Sequence, residues 1–171
     1  MQTAREAFSK LKSLAGEWRG SSPYGKDIRL TYEVTGKDSA VIERYRHYWK
    51  GELMEDEMVT MYHLSGDDLV LTHYCTLGNQ PRMRANLSID EDVIFEFIGA
   101  SNLPHPNALR MTGVAFHFID NDNITQTWSW DGEKKHILPE NRSDDYDDIP
   151  DSGEGIDTFT LARVKVPMAA E

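Results

Sequence analysis

Four alternating runs between Met58 and Phe97 constrain this chain more than any other feature. Met58–Leu64 and Leu69–Cys75 flank the polar turn Ser65-Gly66-Asp67-Asp68, which sets Leu64 opposite Leu69, His63 opposite Val70 and Met61 opposite Thr72. Arg82–Ile89 follows Leu77-Gly78-Asn79-Gln80, which sets Tyr74 opposite Met83. Val93–Phe97 then returns after Asp90-Glu91-Asp92, with Ile89 opposite Val93. One face of this meander carries Val59, Met61, His63, Val70, Thr72, Tyr74, Met83, Ala85, Leu87, Ile89, Val93, Phe95 and Phe97. The other carries Thr60, Tyr62, His73, Arg82, Arg84, Asn86, Ser88 and Glu96. Side chains alternate with period two, so the apolar row is expected inside and the arginines outside.

The flanking segments extend the pattern. Thr3-Ala4-Arg5-Glu6 reads as a capping box, and Ala4, Phe8, Leu11 and Leu14 recur at helical spacing, so 3–15 is expected as one short amphipathic helix ended by Gly16. Ile28–Val34 alternates, and Val34 opposite Val41 carries the inward set on through Glu43, Tyr45, His47 and Trp49. Leu109–Ile119 and Ile124–Trp130 form a further hairpin. With Ile119 opposite Ile124, Gln126, Trp128 and Trp130 face His117, Ala115 and Gly113; the alternative interior is Val114, Phe116 and Phe118. The tryptophan face is chosen because it keeps Arg110 outside. Residues 131–157 read as a long acidic loop, and Thr158–Val164 as the last strand.

Nine or ten short antiparallel strands after one short helix describe an all-β chain, a single up-and-down barrel over residues 1–171. The helix followed by Gly16-Glu17-Trp18 resembles the Gly-x-Trp opening of the calycin superfamily, which includes lipocalins, fatty-acid-binding proteins and nitrobindin-like haem proteins. Leu14–Gly20 resembles most closely the opening of bacterial lipocalin-like proteins of unknown function. That resemblance implies a barrel with a ligand cavity and an arginine, Arg163, packed over Trp18. The chain departs from the nitrobindin-like pattern at Ser22, where a glycine belongs. It has no histidine after His136 to serve as the C-terminal haem ligand.

Charge and composition narrow the partners. A net charge of −11 disfavours nucleic acid and anionic membranes. The lone Cys75 excludes an internal disulfide; it is expected on the outer face beside Arg82. No apolar run reaches the roughly 20 residues of a membrane span. The polar Met1–Glu6 lacks a signal-peptide core, so the expected compartment is the cytoplasm.

The expected function is binding of a small apolar or amphipathic molecule in the barrel, without catalytic or metal-ligating residues and without a cofactor. The candidate lining is Tyr32, Glu43, Tyr45, His47, Met61, His63, Tyr74, Met83, Met111, His117, Gln126, Trp128 and Trp130. Ala115, opposite Trp128, is the position where a bulky side chain is expected to block the lumen. Two alternatives stay open. One is an acid–base enzyme using Glu43, whose burial would raise its pKa, with a lumen histidine. The other is haem or metal held by His47, His63 and His117. The acidic run Asp144–Asp151 does not match an EF-hand calcium loop.

Overall fold

Thr3 and Glu6 make the capping box: the Thr3 hydroxyl accepts from the Glu6 amide at 3.2 Å, and the Thr3 amide donates to the Glu6 carboxylate at 2.7 Å. Helix α1 runs Ala4–Lys12 and buries Ala4, Ala7, Phe8 and Leu11. Ser13 is its C-cap, so the helix stops earlier than expected, and Gly16 opens the first strand at φ 125°. The computed structural model describes residues 2–54, 57–88, 92–142 and 149–165.

The strands are β1 (Gly16–Ser21), β2 (Asp27–Thr35), β3 (Ala40–Trp49), β4 (Glu52–Leu53), β5 (Met58–Ser65), β6 (Asp68–Tyr74), β7 (Gln80–Asn86), β8 (Val93–Ser101), β9 (Arg110–Phe118), β10 (Asn123–Glu133) and β11 (Ser152–Arg163). Pairing is antiparallel between neighbours. β1 pairs with both β11 and β2, β3 pairs with both β2 and β5, and the two-residue β4 only extends the edge of β3. Ten strands therefore close into a barrel, and closure removes the exposed edges that an open sheet would leave. No helix among the described residues is long and apolar enough to cross a membrane.

One end of the barrel is sealed. Trp18 is 1% exposed and donates its indole N–H to the Leu14 carbonyl at 2.8 Å. The Arg163 guanidinium lies 4.4 Å from the Trp18 ring centroid and donates to the Ser13 and Ala15 carbonyls, each at 2.8 Å. Strand pairing, a cation–π contact and the carbonyls at the end of α1 thus meet at one arginine.

Register within each hairpin was largely legible, but the facing of three strands differs from expectation. Leu64 does face Leu69, and Met61 faces Thr72. Leu71, however, takes the place of Tyr74 opposite Met83. That offset of three positions is odd, so it exchanges the faces of β6 while Arg82 and Arg84 stay outside. β3 imposes the same choice on β5, because inward Val41 and Glu43 sit opposite Tyr62 and Thr60. The buried row is therefore Thr60, Tyr62, Leu69, Leu71 and His73. Met61 turns to the outer face, His63 is exposed and Tyr74 is 50% exposed.

β9 is shifted by one residue. The Ile119 and Asp120 amides both donate to the Asn123 carbonyl, so Phe118 rather than Ile119 faces Ile124. Val114 and Phe116 point inward with Gln126 and Trp128. Ala115 pairs with Thr127, and exposed His117 hydrogen-bonds Asp92 at 2.7 Å. An irregularity between Ser129 and Trp130 then sets Trp130 opposite Met111, which brings Met111 back toward the interior. Trp49, expected inward, is 39% exposed.

Both ends of the expected acidic loop are sheet. β10 continues to Glu133, which pairs with Ser152 of β11, and short 3-10 turns cover Lys134–His136 and Pro139–Asn141. Asp144, Asp145, Asp147 and Asp148 lie outside the described residues.

Candidate functional site: a half-filled lumen above a polar layer

The barrel interior is apolar near α1 and polar at mid-height. Leu69, Leu71, Met83, Phe95, Phe116, Leu161 and the helix residues fill the sealed half. Across the middle runs a layer built by four strands. Glu43 of β3 is 2% exposed, and its Oε2 accepts from Tyr62 Oη of β5 and from Gln126 Nε2 of β10, each at 2.8 Å. Gln126 Nε2 also reaches Tyr32 Oη of β2 at 3.3 Å, and Tyr32 in turn hydrogen-bonds Glu43.

Burial raises the Glu43 pKa above the ordinary carboxylate value, and the bonds from Tyr62, Tyr32 and Gln126 partly oppose that rise. Burial also pushes the phenols of Tyr32 and Tyr62 well up, reinforced by the neighbouring Glu43 charge. This layer is a satisfied carboxylate with phenol and amide donors, which is how a buried acid is tolerated inside a barrel.

The layer continues sideways to a histidine. The Thr60 hydroxyl lies 2.8 Å from His73 Nδ1, and Thr60 also favours the charged form of the Tyr62 phenol. His73 is 3% exposed, and its ring centroid is 4.6 Å from that of Trp128. Its Nε2 is buried and has no hydrogen-bond partner among the described residues. Burial lowers the His73 pKa to about 4, so its imidazole is neutral at neutral pH.

Above the layer, at the end away from α1, the barrel holds a cavity of about 100 Å³. Its apolar wall is Tyr45, Met58, Met111, Trp128, Ile149 and Phe159, and Glu43, His47 and His73 supply polar groups. Ser22, Tyr24, Lys26, Thr76 and Asp157 also line it. Burial raises the Asp157 pKa, opposed by Tyr24 and then Lys26.

Of the candidate lining, Glu43, Tyr45, His47, Met111 and Trp128 border this cavity. Tyr32 and Gln126 belong to the polar layer beneath it. Met83 sits in the filled core, and Trp130 in a second apolar cluster with Cys75, Leu77, Leu109, Ile137 and Ile149. Met61, His63, Tyr74 and His117 do not face the lumen, so the histidines named as a metal or haem set do not converge. No group of three or more histidines, cysteines or carboxylates among the described residues could hold a metal ion. Cys75 is buried at the cavity wall rather than exposed beside Arg82, and burial pushes its thiol up to about 11. It is therefore a protonated thiol and a poor nucleophile at neutral pH.

Sequence reasoning missed Thr60, Tyr62, His73, Met58 and Phe159. A signal for the first two was present: Glu43 was already inward, a buried carboxylate needs donors, and the next long strand in sequence offers Tyr62 two positions from Thr60.

No family model and no curated protein matches the chain. Among solved structures it is similar to a DUF3598-family protein of unknown function from Nostoc punctiforme PCC 73102. The TM-score is 0.41 and the identity 10%, over 90% of this chain and 49% of that one. The chain thus spans about half the length of the protein it resembles.

Proposed function

We propose that this chain is a calycin-like barrel that binds a small apolar or amphipathic molecule in its lumen. Support for the calycin-like reading comes from Gly16-Glu17-Trp18 opening β1 with Arg163 stacked over Trp18. The observation that carries the binding reading is the cavity of about 100 Å³, walled by aromatic and methionine side chains above a hydrogen-bonded floor. A dry cavity of about 150 Å³ takes up benzene; this space is smaller, so it holds at most one small ring and is too small for a porphyrin. Glu43, Tyr45, His47, Met58, His73, Met111, Trp128 and Phe159 are the proposed ligand contacts.

Toluene titration followed by NMR tests this reading. Burying a single ring is worth about 3–4 kcal/mol before the cost of association, so weak saturable binding is expected. The Trp128 indole and the Met58 and Met111 methyls should shift together, and Met111→Trp, which fills the lumen, should abolish the shifts. Shifts confined to the exterior would overturn the proposal.

Acid–base catalysis is a second reading, favoured by Glu43 and His73 bordering one cavity with pKa values moved in opposite directions. It requires turnover of a bound molecule that is lost in both Glu43→Gln and His73→Phe.

A further inference from the structure

An ordered chain of donors through the polar layer would place the His73 proton on Nδ1. Tyr62 has one hydroxyl proton and donates it to Glu43 Oε2 at 2.8 Å. Its oxygen then keeps lone pairs that can accept from the Thr60 hydroxyl, two positions away on β5. With its own proton used, Thr60 Oγ1 can only accept from His73, 2.8 Å away, so the imidazole proton sits on Nδ1. The chain of donors runs His73 Nδ1 to Thr60, Thr60 to Tyr62, and Tyr62 to Glu43. This leaves His73 Nε2 with a buried lone pair and no hydrogen.

Among the described residues that atom is one of several buried polar atoms without a hydrogen-bond partner, and Asp157 Oδ1 is another on the same cavity wall. His73 borders the cavity and is 3% exposed, and Nε2 has no partner among the described residues. A buried acceptor without a donor is costly, and sites with such an atom select ligands that satisfy it. Trp128 packs against the same imidazole, and Tyr45 and Phe159 lie 5.8 Å apart, centroid to centroid, on the same wall. These faces suit a flat ring.

We propose that the lumen selects a small phenol: an aromatic ring packed among Trp128, Tyr45 and Phe159, with its hydroxyl donating to His73 Nε2. This rests on the lumen-binding reading and adds the chemical class of the ligand. No bond is made or broken; the phenol keeps its proton and the imidazole stays neutral.

The test compares phenol with toluene, which has the same shape and no donor, on the full chain by calorimetry and by ¹⁵N-detected NMR of the imidazole nitrogens. The wild-type protein should show protonated Nδ1 and bare Nε2, should bind phenol about tenfold more tightly than toluene, and should shift the Nε2 resonance upfield with phenol alone. His73→Phe keeps a ring of similar size and should bind the two equally. Equal wild-type affinities would leave lumen binding standing and overturn the phenol preference. A phenol preference that survives in His73→Phe would overturn the assignment of the acceptor. A proton found on Nε2 in the wild type would overturn the proposal even if the variant failed to fold. Failure of both compounds to reach the lumen would sink the binding reading itself.

Discussion

Removing the Tyr62 hydroxyl isolates the energetics of the polar layer. Tyr62→Phe deletes one oxygen and keeps the ring, which packs 5.6 Å from Phe95 and 5.9 Å from Phe116, centroid to centroid. No apolar surface is lost, so the change reads the hydrogen bond to Glu43. Below the ordinary Glu43 pKa of 4.5 the carboxyl is protonated in both folded and unfolded chains, and the lost bond is a neutral one, worth about 0.5–1.5 kcal/mol. Glu43 has a raised folded pKa, so its own contribution is fully present below 4.5 and is lost as pH rises through the folded value. The Tyr62 bond lowers that folded value, so losing it raises it further and widens the window. Once Glu43 is ionised the missing bond is charge-assisted, worth about 1.5–3 kcal/mol. Urea unfolding followed from pH 4 upward should therefore show a penalty for Tyr62→Phe that grows as folded Glu43 ionises, at unchanged m-value. The variant should also free the Thr60 hydroxyl to donate to His73 Nδ1, moving the imidazole proton to Nε2. A penalty that stays flat across the titration of Glu43, or that is below about 0.5 kcal/mol once Glu43 is ionised, would refute this account of the layer.

Trp18→Ala should cost about 3–5 kcal/mol, because it empties the sealed end and removes the platform under Arg163; a melting temperature within a degree or two of wild type would contradict this. His73 should stay neutral by NMR down to about pH 4. Its depressed pKa makes stability fall as pH drops from the ordinary 6.5 through about 4, an interval worth about 3 kcal/mol, and His73→Phe should flatten that acid limb. Gly155 sits against the Trp130 ring, where a Cβ would overlap the indole, so Gly155→Ala should displace Trp130 and cost about 1–3 kcal/mol in urea unfolding. Ala115→Phe, expected from the sequence to block the lumen, should leave toluene binding unchanged, since Ala115 faces away beside Thr127.

What the sequence determined by itself is everything set by period and by short turns. The capping box, the alternation of β2 and β3, the pairing of Val34 with Val41 and of Leu64 with Leu69, and the outward Arg82 and Arg84 all follow from neighbours a few residues apart. They suffice for an all-β barrel closed by one helix and for the inward Glu43, Tyr45 and His47. The tertiary structure decided parity. Both faces of β5, β6 and β9 carry apolar residues, so their own patterns do not say which is inside. A turn one residue tighter or a pairing three positions along reverses every side chain beyond it. Closure against β3 chose Tyr62 and Thr60 over Met61 and His63, the turn at Asn123 chose Phe116 over His117, and the 75–79 turn chose His73 over Tyr74. The polar layer lies on the faces chosen that way, because a buried Glu43 needs donors from strands that only barrel closure brings together.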